Sequence, residues 1–160
     1  MKRLLPLLLL FVLVFSGCSI KSADDYYNST ESGEYVATIS INCRTAVDYK
    51  GFDRENEEIL NDYTVSFNEG GTVFDALKNA CKENKIQFEY VGDGAAAYIN
   101  SIDYLYEFDC GDLSGWQYRV NGEFQSVGCG AYKLHDGDKI EWLYTCDLGS
   151  DIGNAYGVGQ

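Results

Sequence analysis

The segment TVFDALKNACKEN, residues 72–84, decides the fold class because it carries the helical periodicity of the chain. Thr72 and Asp75 have the spacing of a capping box, in which each side chain accepts a hydrogen bond from the other residue's backbone N–H. The preceding residues 68–71, Asn-Glu-Gly-Gly, form a turn signal. The apolar face of the helix consists of Val73, Leu77, Ala80 and Cys81. The sequence therefore predicts one helix from residue 73 to about residue 84.

Strand patterns lie on both sides of this helix. Upstream, apolar and polar residues alternate over residues 37–43, and a second strand follows around residues 63–67. Downstream, the segments with strand patterns are 86–91, 98–102, 116–120 and 139–144. Asn121-Gly122 is a strong hairpin signal because both residues tolerate positive φ. Two strands, one helix and several further strands predict an α+β domain, a β-grasp-like mixed sheet with one packed helix.

The N-terminus predicts export and lipidation. Residues 1–3 are a positive n-region, and residues 4–15 are a twelve-residue apolar run. Twelve residues of helix cover about 18 Å, too little for a hydrocarbon core of roughly 30 Å. Two small residues then precede Cys18, an arrangement that resembles the bacterial lipobox. We expect a signal peptide of residues 1–17 and a lipoprotein anchored through Cys18 on the extracytoplasmic face of the bacterial cell membrane; an ordinary secretory signal is the alternative.

Composition divides the rest of the chain. Residues 18–34 are polar and acidic without apolar periodicity and predict a flexible tether, residues 35–148 predict one domain, and residues 149–160 predict a Gly-rich tail. The net charge is −13, or −15 once Lys2 and Arg3 leave with the signal peptide. Such an acidic protein is repelled by nucleic acid and anionic lipid. Membrane attachment is therefore expected through acyl chains, with no nucleic-acid partner.

Several motifs, in order, resemble the transcobalamin-like C-terminal domain family, which is similar to the β-domain of the cobalamin carriers transcobalamin and intrinsic factor. These motifs are Thr72–Leu77, Gly115–Tyr118 with Val120–Gly122, Gly130–Leu134 and Asp136–Trp142. The resemblance covers about Val65 to Tyr144. It implies a β-grasp-like fold on an exported protein, often a lipoprotein, with cobalamin as the candidate ligand.

The resemblance also indicates a ligand-binding surface. Trp116 and Tyr118 match the segment that faces the ligand in the carriers. The other candidate binding residues near the matching segments are Gly115, Tyr98 and Tyr132. A flat, partly apolar solute needs rings to stack on and a few polar groups to orient it. Alternating aromatic residues are also typical of strand packing, so loss of Trp116 or Tyr118 should weaken binding with little effect on stability, whereas loss of Trp142 should unfold the domain.

These observations favour a non-catalytic binding module for cobalamin or a similar planar solute. The alternative is a cell-surface protein- or glycan-interaction module, which would expose an apolar patch instead of a pocket. An enzyme is disfavoured because the only histidine, His135, lies beside a predicted turn. Carboxylates such as Asp109 and Asp112 are too abundant to mark a site, and no EF-hand spacing is present. We predict no catalytic residue and no metal site.

Five cysteines lie in the predicted domain, an odd number that suggests two disulfides and one thiol outside the cytoplasm. In a β-grasp sheet the first and last strands run side by side, which would bring Cys43 near Cys146. Cys110 and Cys129 then remain to bracket the hairpin. Cys81 lies on the apolar face of the helix and is expected to stay a buried thiol.

Overall fold

The structure is a computed structural model that describes residues 33–49 and 55–154. The predicted signal peptide, the lipidation site Cys18, most of the tether and the end of the Gly-rich tail lie outside the described residues. Within the described residues, no helix is both long enough and apolar enough to span a bilayer.

The chain folds into two sheets and one main helix. The elements, in order, are β1 Tyr35–Asn42, α1 Arg44–Val47, β2 Glu58–Phe67, α2 Val73–Asn84, β3 Phe88–Val91, β4 Tyr98–Ile102, β5 Leu105–Tyr106, β6 Gly115–Val120, β7 Glu123–Phe124 and β8 Lys139–Thr145. The larger sheet has the order β2-β1-β8-β6-β7, and the smaller has the order β3-β4-β5. β1 and β8 are parallel, and the other neighbours are antiparallel. The predicted α+β fold with a mixed sheet is therefore confirmed, while the second sheet and α1 were not anticipated.

The helix α2 begins and ends where its sequence signals predict. Thr72 Oγ1 accepts a hydrogen bond from the Asp75 N–H at 3.1 Å, and Asp75 Oδ2 accepts one from the Thr72 N–H at 3.0 Å. The helix ends at Lys85, whose φ of 56° is left-handed. Its buried residues are Val73, Phe74, Ala76, Leu77, Ala80 and Cys81, and it packs on β1 and β2. The capping box thus fixes the start of the element that covers one half of the sheet.

The core lies on one face of the larger sheet, as the alternation in the sequence predicts. On β1 the buried residues are Ala37, Ile39 and Ile41, on β6 they are Trp116, Tyr118 and Val120, and on β8 they include Ile140, Trp142 and Tyr144. Outward residues of the same strands are half-buried, such as Glu141, or exposed, such as Lys139. Because side chains alternate along a strand, each strand gives one apolar face to the core.

The hairpin between β6 and β7 is the two-residue turn that Asn121-Gly122 predicts. The φ angles of these residues are 53° and 84°, and Val120 pairs with Glu123. The Asn121 side chain also joins the turn to the chain before β8, because its Oδ1 accepts from the Lys139 N–H at 3.0 Å. The turn therefore sets the position of the residues that follow β6.

The predicted Cys43–Cys146 disulfide does not form in the structure. The parallel register pairs Asn42 with Leu143, which leaves Cys146 two residues beyond the position opposite Cys43. The Cys43 thiol instead donates to backbone carbonyl groups just before β2, at 3.4 Å. The Cys146 thiol donates to the Thr45 carbonyl oxygen, also at 3.4 Å. The strand register, which the sequence pattern leaves open, is the reason for the difference.

The predicted Cys110–Cys129 disulfide does not form either. Cys110, between β5 and β6, lies near the end of β8, because its N–H donates to Ser114 Oγ and the next residue, Gly115, pairs with Thr145. The Cys129 thiol donates to the Ala97 carbonyl oxygen at 3.6 Å, on the side of β4. Cys81 is a buried thiol on α2, as expected, and burial raises the pKa of this thiol to about 12. Cys110 and Cys129, which were expected to pair, thus lie in different parts of the core.

Candidate ligand-binding site

A cavity of about 210 Å³ opens where β4, β6 and the residues after β7 approach one another. Its aromatic lining consists of Tyr98, Trp116, Tyr118, Phe124 and Trp142, and its amide side chains are Gln117, Gln125 and Asn154. Apolar walls with a few polar groups are the usual composition of a small-molecule site. We refer to this concavity as the aromatic cavity.

Strand alternation and cross-strand pairing bring three of these rings together. Trp116 and Tyr118 lie on the same face of β6, and Tyr118 is directly opposite Trp142 on β8. The rings of Tyr118 and Trp142 have centroids 5.4 Å apart, and Trp116 meets Tyr144 edge-on at 5.2 Å. Such pairs stabilise a sheet, so these residues both form the cavity wall and hold the core together.

The polar groups of Trp116 and Tyr118 are already bonded to the backbone. Trp116 Nε1 donates to the Leu105 carbonyl oxygen at 2.9 Å, and the Tyr118 hydroxyl donates to the Val127 carbonyl oxygen at 2.7 Å. Burial raises the pKa of the Tyr118 hydroxyl well above its usual value. Both residues therefore offer ring surface, and not hydrogen bonds, to a ligand.

Tyr98 supplies the exposed wall of the aromatic cavity. This residue is 49% exposed on β4, and its hydroxyl donates to Glu107 Oε2 at 2.6 Å. Partial burial, followed by the hydrogen bond to Glu107, raises the pKa of the hydroxyl to about 12. Tyr98 is consequently a neutral ring at physiological pH, with its hydroxyl fixed and part of its face open to solvent.

One lining residue has a polar atom without a partner. Trp142 is 2% exposed, and its Nε1 is a buried donor with no hydrogen-bond acceptor among the described residues. A buried, unpaired polar group costs about 1–3 kcal/mol. Because this N–H has almost no accessible surface, Trp142 gives the aromatic cavity ring surface and no accessible donor.

The amide groups form the more polar side of the cavity. Asn154 Nδ2 donates to Gln117 Oε1 at 2.8 Å, which joins the chain after β8 to β6. Gln125 Nε2 donates to the Glu123 carbonyl oxygen at 2.8 Å. Because each amide has both a donor and an acceptor, these side chains make this side of the cavity polar.

A larger concavity, of about 370 Å³, lies on the outer face of the sheet, but its side chains bond to one another. Ser40 Oγ donates to Asp62 Oδ1 at 3.3 Å and accepts from the Asp62 N–H at 3.0 Å. Glu141 accepts two hydrogen bonds from Arg119, at 2.6 and 2.7 Å. Since it has no aromatic wall, this concavity suits a planar apolar solute less well than the aromatic cavity.

The structure brings together three of the five predicted binding residues. Tyr98, Trp116 and Tyr118 line the aromatic cavity, whereas Gly115 and Tyr132 do not. Gly115 is at the start of β6, and the Tyr132 ring meets the Tyr118 ring edge-on, with centroids 6.4 Å apart. Periodicity groups residues by strand face, and the position along the strand then decides which of them reach the opening.

The expectation that Trp116 and Tyr118 could be lost without harm to stability needs correction. Each is only 8% exposed, and each is hydrogen-bonded to the backbone of another segment. Their truncation would therefore open a void in the core. Tyr98, which is half exposed, is the residue suited to test binding without unfolding the domain.

Sequence reasoning missed several lining residues. Phe124 and Gln125 follow the Asn121-Gly122 turn, and Asn154 lies in the predicted tail. The hairpin signal could have placed Phe124 and Gln125 beside Tyr118, because a two-residue turn fixes the pairing register. No local signal in the sequence places Asn154 beside β6.

The histidine and the carboxylates that could serve catalysis or metal binding make contacts within the fold. His135 is exposed, with Nδ1 3.7 Å from Asp138 Oδ2, and Asp109 Oδ2 accepts from the Tyr106 N–H at 2.8 Å. Asp151 accepts hydrogen bonds from Thr145 Oγ1 and the Cys146 N–H. In residues 33–49 and 55–154, no three His, Cys, Asp or Glu side chains converge into a metal-binding group.

Comparison with solved structures shows what this fold is similar to. Haptocorrin, solved in complex with Cbi, matches with a TM-score of 0.50 and 22% identity, over 69% of this chain and 25% of the haptocorrin chain. The chain thus spans about a quarter of the length of that relative. A "putative metal binding protein from Ruminococcus gnavus ATCC 29149" matches with a TM-score of 0.43 and 18% identity, over 70% of this chain and 97% of that one.

Comparison of sequences adds a family. No curated protein sequence matches the chain at a significant level. Residues 70–145 match the family described as "Domain of unknown function (DUF4430)", and these residues include α2, the β6–β7 hairpin and β8. This match and the fold shared with haptocorrin are consistent with the transcobalamin-like domain that the sequence predicts.

Proposed function

We propose that this chain is a non-catalytic binding module that holds cobalamin, or a similar planar and partly apolar solute, at the aromatic cavity. The observation that carries the proposal is the aromatic wall formed by Tyr98, Trp116 and Trp142 beside a polar side formed by amide groups. Ring faces bind a flat apolar surface, and a few polar groups orient it.

The size of the cavity limits how such a solute would bind. Sites for drug-sized ligands usually enclose about 300–1,000 Å³, and the aromatic cavity has about 210 Å³. A corrinoid would therefore insert one edge or one side group, while the remainder of its face lay over the exposed ring of Tyr98. The same geometry admits a smaller planar solute completely.

The fold supports this proposal at the level of similarity. Haptocorrin shares the fold and has been solved in complex with Cbi. The chain covers only a quarter of haptocorrin. The ligand of the whole haptocorrin chain is therefore a candidate ligand here, to be tested on this chain alone. The aromatic cavity provides the local reason to test it.

Replacement of Tyr98 by alanine should weaken binding without unfolding the domain. Because Tyr98 is half exposed, we expect its loss to lower affinity about tenfold, which corresponds to about 1.4 kcal/mol, and to change the free energy of unfolding by less than about 1 kcal/mol. Isothermal titration of the full chain with cobalamin measures the affinity, and urea denaturation measures the stability.

Tyr104 provides the matched control for this titration. It is 72% exposed and does not line the aromatic cavity, so Tyr104→Ala should bind cobalamin as the parent does. Absence of binding heat in the parent protein would contradict cobalamin as the ligand. Equal affinities for Tyr98→Ala and Tyr104→Ala would contradict the aromatic cavity as the binding surface.

We further propose that a lipid on Cys18 anchors the module to the extracytoplasmic face of the bacterial cell membrane. The support is the sequence of residues 1–18, with its positive n-region, its short apolar run and the small residues before the cysteine. An acidic domain needs such an anchor because its charge does not attract it to anionic lipid.

Cys18→Ala should abolish lipidation. We expect the variant either to appear in the medium or to remain unprocessed with its signal peptide. Partitioning of cell extracts into a detergent phase, with mass measurement of the protein, distinguishes these outcomes from the anchored parent. Detergent partitioning that is identical in variant and parent would contradict the lipoprotein assignment.

A second candidate function, docking of a protein or glycan at the cell surface, is favoured by one specific feature. Phe108, Leu113 and Leu148 are 60%, 46% and 50% exposed, and they lie together because the Leu148 N–H donates to the Leu113 carbonyl oxygen and the Phe108 N–H to that of Ser114. Exposed apolar side chains in one place often mark an interaction surface.

A further inference from the structure

The loop between β5 and β6 carries a buried cysteine in a well-defined backbone. The Cys110 N–H donates to Ser114 Oγ at 3.1 Å, and the Ser114 N–H donates to the Gly111 carbonyl oxygen at 2.9 Å. The residue is only 1% exposed. These contacts hold the Cys110 side chain in place by means of its own loop.

A second cysteine meets it from the larger sheet. Cys146 follows directly after β8 and is half-buried, and the pairing of Gly115 with Thr145 places it beside Ser114, whose Oγ accepts from the Cys110 N–H. Burial and, after it, the nearby Cys146 thiol raise the pKa of the Cys110 thiol to about 12. Their segments come together only through the tertiary structure.

A third contact fixes the distance between the two segments. The Tyr144 hydroxyl donates to the Tyr106 carbonyl oxygen at 2.7 Å and forms a second hydrogen bond, 3.0 Å long, with Ser114 Oγ. Tyr144 is on β8, two residues before Cys146, and Ser114 Oγ also binds the Cys110 N–H. This network joins the loop that carries Cys110 to the end of β8, which carries Cys146.

We propose that Cys110 and Cys146 form a disulfide that ties the β5–β6 loop to the end of β8. The oxidant is a disulfide compound, either a thiol-disulfide oxidoreductase or a small-molecule disulfide. The two protein thiols and one oxidant disulfide give one protein disulfide and two oxidant thiols, which take up the two protons. This pairing differs from both pairs that the sequence suggested.

The order of attack follows from accessibility. Cys146 is the more exposed thiol, so its thiolate attacks the oxidant and forms a mixed disulfide with release of the first oxidant thiol. Cys110, buried beside it, then attacks the Cys146 sulfur and releases the second. The other described thiols are directed elsewhere, since Cys129 donates to Ala97 and Cys81 lies on α2.

Mapping of the oxidised full-length chain tests this pairing. The protein is incubated with oxidised glutathione, blocked with N-ethylmaleimide, digested without reduction and analysed by mass spectrometry. We expect peptides containing Cys110 and Cys146 to be joined in the parent and in the control variant Cys43→Ser. Cys146 joined to Cys43 or to any other cysteine, or both thiols of the pair found blocked by maleimide, would overturn the proposal.

Thermal unfolding provides an independent readout. A disulfide that closes a loop of about 35 residues should raise the melting temperature of a domain this size by roughly 10 °C or more, and reductant should remove that gain. Reductant should leave the melting temperature of Cys146→Ser unchanged, whereas it should lower the melting temperature of Cys43→Ser as much as that of the parent. Cys146 is only half-buried, so we expect Cys146→Ser to fold. The test therefore does not depend on Cys110→Ser, which alters a fully buried residue. An equal loss in Cys146→Ser and in the parent would overturn the proposal.

Discussion

Trp142→Ala is expected to lower the free energy of unfolding by about 3–5 kcal/mol, a large part of the total of roughly 5–15 kcal/mol for a small domain. Trp142 is at the centre of β8, which is hydrogen-bonded to β1 on one side and β6 on the other, and it is 2% exposed. Its ring packs on Tyr118. Removal of the ring leaves a void between strands that cannot close without breaking the sheet register. Urea denaturation followed by far-UV circular dichroism measures the loss.

Two further variants test whether loss of the Trp142 ring causes the loss of stability. Lys139→Ala alters an exposed, outward residue of the same strand, and its effect should stay within about 0.5 kcal/mol. Trp142→Phe keeps an aromatic ring and removes the unpaired Nε1, so it should cost less than Trp142→Ala. A Trp142→Ala variant as stable as Lys139→Ala would contradict the place of this residue in the core.

Gly130→Ala is expected to destabilise the domain by about 3 kcal/mol or more. A Cβ at this position would lie 1.8 Å from the Gly94 carbonyl oxygen and 2.8 Å from its carbon. These atoms belong to backbone, so the two segments must separate, which makes the cost exceed the roughly 1–3 kcal/mol typical of overpacking. Because Cys129 and Ala97 line the aromatic cavity beside this contact, cobalamin binding should fall as well. Thermal unfolding and calorimetric titration measure the two effects.

Gly115 is the matched control for that substitution. A Cβ there would have Glu107 Cβ, at 3.7 Å, as its nearest neighbour, which is ordinary van der Waals contact. Gly115→Ala should therefore leave both the melting temperature and the affinity nearly unchanged. A Gly130→Ala variant with the stability of Gly115→Ala would show that the loop of Gly130 does not pack on the turn of Gly94.

The candidate site could be predicted in part because it uses strand periodicity. Alternation along β6 places Trp116 and Tyr118 on one face, and the family resemblance directed attention to that strand. The pattern does not state how deeply a face is covered, and both residues are buried where partial exposure was expected. Burial depends on the smaller sheet and on the loop after β7, which approach β6 from distant parts of the chain.

The cysteines illustrate the same limit. The sequence predicts correctly that Cys81 lies on the apolar face of α2, because helix periodicity is local. The approach of Cys110 to Cys146 depends on the strand register and on the Tyr144 network, both of which join residues far apart in the chain. The spacing of cysteines along the sequence therefore does not predict that Cys110 and Cys146 lie near one another.

By itself the sequence determined the α+β class, the limits of α2, the Asn121-Gly122 hairpin and the face of each main strand that enters the core. These features follow from interactions between residues close in the chain, namely a capping box, a turn with positive φ and the alternation of side chains. Only the tertiary structure decided which rings line the aromatic cavity, that Trp142 Nε1 is buried with no acceptor among residues 33–49 and 55–154, and which cysteines come near one another. The reason is that these depend on contacts between strands and loops whose relative register and depth no single segment encodes.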